Sequence, residues 1–285
     1  MLTNQFIDVG LVKARYWQAG SEGSAVLLLH GIACSVAEWE PNIEALAVRH
    51  RVFAVDLLGF GLTDKPADET YSLRRLANFV LDFMTAKGLA QAHMAGNSLG
   101  GRLALECAAI APQRVASLLL VDPAGMERRK TLLEFRLATI PVLGEMFTLP
   151  NRLGMKMLWQ KAFAAPAAFV TDDLVTTKVA MASQPGAQAA FLKTLRGFLD
   201  FRGFLPGPVA ELHAALPRIQ APTLVVWGRE DRFVPPAHAE VLRRTMPNAE
   251  VQIWDGCGHV PQIECAQRFN DAAQKFWAGL DERVR

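Results

Sequence analysis

Residues 92–101 read Ala92-His93-Met94-Ala95-Gly96-Asn97-Ser98-Leu99-Gly100-Gly101. Ala92–Ala95 is a short apolar run of strand character, and Gly101–Ala111 has helical periodicity, so the serine falls on the bend between a strand and a helix. Glycines two residues either side of it remove Cβ atoms where strand and helix crowd. Ser98 can then be held in a strained turn with Oγ exposed, above a helix N-terminus that favours a developing oxyanion. As a pattern, G-x-S-x-G fixes only three residues; its position between strand and helix is what gives it weight.

Outward from this turn the chain alternates. The short apolar runs Ala25–Leu29, Arg51–Val55, Ala92–Gly96 and Val115–Val121 are separated by helical segments, which predicts a doubly wound, mostly parallel sheet with crossover helices. Ahead of them Gln5–Val9, Gly10 and Leu11–Ala19 read as an antiparallel hairpin at a sheet edge. The clearest helix is Leu73–Lys87, with one apolar stripe, Ser72 as its cap and Gly88 as its stop. From Glu127 to about Pro208 the strand pattern disappears, and apolar residues recur at helical spacing between prolines. The βα rhythm returns with Thr223–Gly228, a helix near Pro236–Thr245, a strand at Glu250–Ile253 and a last helix from about Cys265 to Leu280. The expected organisation is a core in two parts, 1–125 and 209–285, interrupted by a helical lid at 126–208.

A serine hydroxyl is a poor nucleophile until a base takes its proton, so the turn requires a histidine on a loop after a later strand. His259, in Gly256-Cys257-Gly258-His259-Val260-Pro261, meets this. His50, His213 and His238 read as surface positions, and His93 as a satisfied strand histidine. The orienting acid should follow Thr223–Gly228, where Asp231 is chosen over Glu230, which reads as a surface group. Asp122, at the end of Val115–Val121, is a second possible acid. The candidates fall in the chain order Ser98, Asp231, His259. Ile32, in the turn His30-Gly31-Ile32-Ala33, and Leu99 are the expected backbone donors to the oxyanion, with His30 holding the turn in place. Asp56-Leu57-Leu58-Gly59-Phe60-Gly61-Leu62-Thr63 lacks the Lys-Ser/Thr of a phosphate loop.

The whole-chain numbers narrow the partners. Thirty basic against 28 acidic side chains give a net charge of +2, too little for the positive field of a nucleic-acid binder. The N-terminus has no basic start or apolar stretch, and longer apolar runs are broken by charge, as Arg102 and Glu106 break Leu99–Ile110; neither a signal peptide nor a membrane span is expected. The four cysteines, Cys34, Cys107, Cys257 and Cys265, form no metal spacing and indicate no disulfide framework, which makes a reducing cytoplasm the expected location. No cofactor or metal is expected, and nothing here sets an oligomeric state.

Taken together, HGIA, DLLGFGLTD, GNSLGG, WGREDRFVP and GCGHVPQIE resemble, in order and spacing, the α/β-hydrolase superfamily. The resemblance implies Ser98, Asp231 and His259 as catalytic residues, with Ile32 and Leu99 as backbone donors. A serine at 98 departs from the haloalkane dehalogenases and epoxide hydrolases, which use aspartate. GNSLGG and WGREDRFVP are also similar to the carbon–carbon bond hydrolases of aromatic degradation. Those carry a glycine-rich run after the first His-Gly, an aromatic residue after the catalytic histidine and a lid arginine, where this chain has Ile32-Ala33-Cys34, Val260 and Lys178. The expectation is therefore a carboxylesterase acting on an apolar ester, with carbon–carbon hydrolysis as the alternative and a silent binding protein on the same fold as a third reading. Phe147, Met155, Met157, Leu158, Trp159, Phe163 and Phe198 are candidates for an apolar acyl pocket.

Overall fold

Among the described residues the fold rests on ten strands: β1 (Gln5–Val9), β2 (Val12–Ala19), β3 (Ala25–Leu29), β4 (Arg51–Val55), β5 (Ala92–Asn97), β6 (Val115–Val121), β7 (Leu199–Asp200), β8 (Gly203–Phe204), β9 (Thr223–Gly228) and β10 (Ala249–Trp254). The computed structural model describes residues 2–128 and 131–284. Eight strands form one sheet in the order β1-β2-β4-β3-β5-β6-β9-β10. β1 and β2 pair antiparallel, and β2 pairs antiparallel with β4, while β4-β3-β5-β6-β9-β10 are parallel. The hairpin lies at the edge, as its alternation of exposed and buried residues requires. The inner strands β3, β5, β6 and β9 are almost wholly buried and read as unbroken apolar runs, because helices cover both faces.

On one face α1 (Glu40–Leu46) packs with the C-terminal helix; on the other lie α2 (Leu73–Ala86) and α3 (Leu99–Ile110). The α2 stripe Leu76, Phe79, Val80 and Phe83 is fully buried, Ser72 Oγ accepts the N–H of Arg75 at 3.2 Å, and Gly88 ends the helix at φ +67°. Between β6 and β9 come α4 (Leu133–Ala138), α5 (Leu143–Phe147), α6 (Arg152–Ala162), α7 (Pro166–Phe169), α8 (Asp172–Ala182), α9 (Ala187–Arg196) and α10 (Pro206–Ala215). This helical insert also holds the two-residue hairpin β7–β8, which the sequence pattern does not foresee because strands so short carry no alternation. After β9 follow α11 (Ala239–Thr245), α12 (Pro261–Glu264) and α13 (Ala266–Val284).

Arg102, buried on α3, ties the insert to the core. Its guanidinium donates to Glu106 at 2.8 Å, to the Gly125 carbonyl at 3.4 Å and to the Pro208 carbonyl at 2.7 Å, gathering the chain on both sides of the excursion. Two residues expected at the surface are in fact inside: His50 packs 5.1 Å from the Trp277 ring with Nδ1 against Ser24 Oγ at 2.9 Å, and His238 is buried beside Phe204. Each stands beside a structural aromatic that its own segment does not reveal. His213 is exposed, with Nε2 against the Met126 carbonyl at 2.7 Å.

α3 crosses the sheet at very close range. A Cβ on Gly100 would overlap the Leu29 carbonyl at the end of β3, and one on Gly96 would overlap the backbone of Gly100. Gly100→Ala should therefore lower stability by about 2 kcal/mol or more, since backbone must move to admit the methyl group; the urea midpoint of the variant checks this, and an unchanged midpoint would mean that α3 can slide.

Candidate active site

The parallel strands deliver their C-terminal loops to one rim, and the loops after β3, β4, β5, β6, β9 and β10 converge on a cavity of about 540 Å³. Ser98, between β5 and α3, has φ +54° and ψ −113°. This is costly for a residue with a Cβ and is held by its neighbours: its N–H donates to Val121 at 2.9 Å and its carbonyl accepts from Arg102 and Ala124 at 3.0 and 3.1 Å. The strain turns Ser98 toward the cavity, which it lines.

His259 lies in the loop after β10, and its Nδ1 is 2.8 Å from Asp231 Oδ2. Asp231, after β9, accepts the N–H groups of Phe233 and Val234 at 2.7 and 3.0 Å on its other oxygen. With both oxygens engaged, the carboxylate fixes the ring and favours the tautomer protonated on Nδ1, leaving Nε2 as the basic nitrogen. The histidine backbone is anchored as well: its N–H donates to the Ala162 carbonyl at 2.7 Å, and its own carbonyl accepts from Asn97 Nδ2 at 2.9 Å. Ser98, Asp231 and His259 are all buried, and Ser98 and His259 both line the cavity.

Ile32 and Leu99 line the same wall. Leu99 opens α3, where the first N–H groups have no intrahelical acceptor. The turn bearing Ile32 is braced on three sides. Gly31 N–H donates to Glu38 at 3.1 Å, Ala33 sits at φ +58°, and His30 spans the loops with Nδ1 at 2.7 Å from the Gly31 carbonyl and Nε2 accepting Leu57 N–H at 2.9 Å. Burial lowers the pKa of His30, in keeping with this neutral, bracing role. Asp56 completes the support: it takes two Arg15 donors and the N–H groups of Val36 and Leu62, so the glycine-rich turn anchors the loop that bears Ile32.

Asp122, the second acid of the sequence reading, is fully buried at the tip of β6 and accepts Gly228 N–H at 2.9 Å. Asp122, Asp231 and His259 each bring one polar atom within 4.8 Å of the others, a set that could hold a metal ion. The carboxylate nearest the ring is already filled by the His259 Nδ1–H and two backbone donors, which is the environment of an orienting acid. Burial, and then the charge of Asp231, push the Asp122 carboxyl well above its usual range. Asp231 thus bonds the imidazole, while Asp122 is the carboxyl that burial pushes upward.

Several supporting residues escape the sequence reading. Cys257 and Cys265 form a disulfide across the loop that carries His259, a correction to the expectation of free thiols. The loop folds back onto α13 and brings together two cysteines eight positions apart that belong to no recognisable spacing. Glu264 receives the N–H groups of Gly258, Ala164 and Ala165 at 2.6, 3.1 and 2.7 Å, joining the histidine loop to the insert. Glu230 is not merely a surface group, since it accepts Cys257 N–H at 3.0 Å. Lys178 lies 3.9 Å over the Trp159 ring, 3.7 Å from Glu38 and 3.6 Å from Cys34 Sγ.

The cavity wall is mainly apolar: Phe147, Met155, Met157, Leu158, Trp159 and Phe198 all take part. Phe163, also expected there, instead stacks on Phe169 at 4.9 Å. Among the described residues the lysines on the wall, Lys65 and Lys161, have partners, Lys65 the carbonyls of Gly61 and Thr63 and Lys161 the carboxylate of Glu134.

A parallel sheet that presents a strained serine and an aspartate-bonded histidine to one cavity defines an α/β hydrolase, and the chain belongs to the alpha/beta hydrolase family, whose model matches residues 26–272. It is 31% identical over 97% of its length to the 2-hydroxy-6-oxononadienedioate/2-hydroxy-6-oxononatrienedioate hydrolase of Paraburkholderia xenovorans, covering 96% of that protein. Among solved structures it superposes on the meta-cleavage product hydrolase of Pseudomonas fluorescens IP01 with TM-score 0.82, 28% identity, 96% of this chain and 97% of the other. It superposes on a putative lipase of Acinetobacter baumannii AYE with TM-score 0.86, 26% identity, 99% of this chain and 93% of the other.

The Asp122 carboxyl generates a prediction with a definite sign. Folded Asp122 keeps its proton well above 3.8, where the unfolded chain has lost it. Its contribution to stability is therefore full below that value and declines as pH rises toward the folded pKa, by up to about 1.4 kcal/mol per pH unit. Asp122→Asn preserves the Gly228 bond without the titration. Urea melts of both proteins from pH 4 upward should show the variant gaining on the wild type as pH rises; parallel curves would mean that Asp122 is ionised in the fold.

Proposed function

We propose that the protein is a serine hydrolase that cleaves carboxylic esters with an apolar acyl group through an acyl-enzyme. Ser98 Oγ attacks the acyl carbon and passes its proton to Nε2 of His259, while the backbone N–H groups of Ile32 and Leu99 receive the charge that develops on the carbonyl oxygen. Asp231 holds the imidazole in the reactive tautomer and stabilises the imidazolium. The alcohol departs with the proton from His259, and water then repeats the sequence on the acyl-enzyme.

The observation that carries this reading is that the strained serine and the aspartate-bonded histidine share one apolar cavity whose lysines are already paired. Such a pocket suits a neutral acyl chain. A planar dianion calls for a free, bidentate cation, and Lys178 is engaged by Glu38 and by the Trp159 face.

Carbon–carbon hydrolysis of ring-fission products is the second reading, favoured by the 31% identity to the Paraburkholderia xenovorans enzyme. The same serine, base and oxyanion donors serve both reactions, so the substrate alone separates them.

Ser98→Ala should abolish labelling by a fluorophosphonate and reduce hydrolysis of p-nitrophenyl esters by about a thousandfold or more. Undiminished turnover in a folded variant removes Ser98 from the mechanism. Of a graded ester series and a dienoic ring-fission product, the esters should show the higher kcat/KM, rising with acyl length until the cavity is filled; a preference for the dienoate reverses the choice.

A further inference from the structure

Six large apolar side chains of the insert, Val142, Met146, Phe147, Leu149, Leu153 and Met157, are between 55% and 71% exposed. A soluble surface rarely gathers so many in one place without a use for them. Phe147, Leu149, Leu153 and Met157 also line the cavity that holds Ser98, so the exposed patch is continuous with the cavity wall. An apolar molecule could enter from an adjoining apolar phase without first being surrounded by water.

Charge follows the same division. Residues 126–208 carry 11 basic and 6 acidic side chains, a net of +5, so the remainder of the chain carries −3. No acid occurs between Glu145 and Asp172, whereas Arg152, Lys156 and Lys161 fall there. Arg152 pairs with Asp172 and Lys161 with Glu134. Among the described residues no carboxylate pairs with Lys156, which stands exposed beside Met157 on α6.

We propose that this face of α5 and α6 docks on an anionic lipid surface, its apolar side chains entering the acyl boundary and its cations meeting lipid phosphates, with the cavity mouth turned toward the lipid. Charge selects this occupant over a second copy of the chain, since a self-complementary contact would set Lys156 and its neighbours against their own kind. Docking goes beyond the choice of scissile bond and requires no catalysis.

Co-sedimentation of the full-length Ser98→Ala chain with phosphatidylglycerol vesicles tests the proposal without turnover. Binding should be clear at low salt, weaken at high salt, and be at least about tenfold weaker on phosphatidylcholine. Met146 and Lys156 lie outside the cavity wall. Combined Met146→Glu and Lys156→Glu should reduce vesicle binding about tenfold or more, yet leave hydrolysis of a short soluble ester unchanged in the Ser98-containing chain, which also reports correct folding. Equal sedimentation with and without vesicles overturns the proposal. So does concentration-dependent self-association that Met146→Glu abolishes, which would assign the face to a second copy. Failure of fluorophosphonate labelling with vesicle binding intact would instead count against the hydrolase reading alone.

Discussion

The crossing of α3 over the sheet is the constraint on which the site depends. Gly96 and Gly100 let the helix backbone approach the end of β3 at a distance that no Cβ would permit. That approach forces Ser98 into a left-handed conformation and brings the first N–H of α3 and the turn after β3 to the same wall. The proposed nucleophile and the N–H groups proposed to receive the oxyanion are thus set by one packing contact. The strain at Ser98 costs about 1–3 kcal/mol and is sustained because three backbone hydrogen bonds hold the turn.

Electrostatic order around the imidazole follows from burial. Two carboxyl groups meet at the tips of β6 and β9, too close and too dry for both to ionise easily. Asp231 has the donors that stabilise a charge, two N–H groups and the ring, whereas Asp122 has the single N–H of Gly228. Burial with so few donors, and the neighbouring charge of Asp231, push the Asp122 carboxyl upward. The same logic places Asp56 at the opposite side of the site, where a buried carboxylate surrounded by Arg15 and two N–H groups anchors the loop beneath the oxyanion donors.

Much of this was legible in the sequence because it depends on local signals. Ser98 stands on a strand-turn-helix transition, β3 to β6 and β9 are unbroken apolar runs between helical stretches, and the hairpin at the start alternates; each pattern reflects burial that its own segment dictates. The chain also brings Ser98 and His259 to one cavity, with Asp231 on the ring, as their places after β5, β10 and β9 led us to expect. What escaped depends on how the chain folds back on itself, over eight residues or over a hundred. The Cys257–Cys265 bond needs the histidine loop to fold back on α13, Glu264 acts on N–H groups a hundred residues away, and His50 and His238 are buried by aromatics from elsewhere in the chain. No spacing in the sequence announces any of them.

The insert adds to the site what the sheet cannot. Strand ends supply fixed polar groups on a rigid rim, and the helices from α4 to α9 supply an apolar wall that can vary without disturbing them. The two layers are nevertheless joined at the histidine: Ala162 receives its N–H, and Glu264 holds its loop to the start of α7. A displacement of α6 would therefore be felt at His259 as well as at the cavity wall. The last residue of α6 thus supports the backbone of His259, while the exposed side of the same helix faces away from that hydrogen bond.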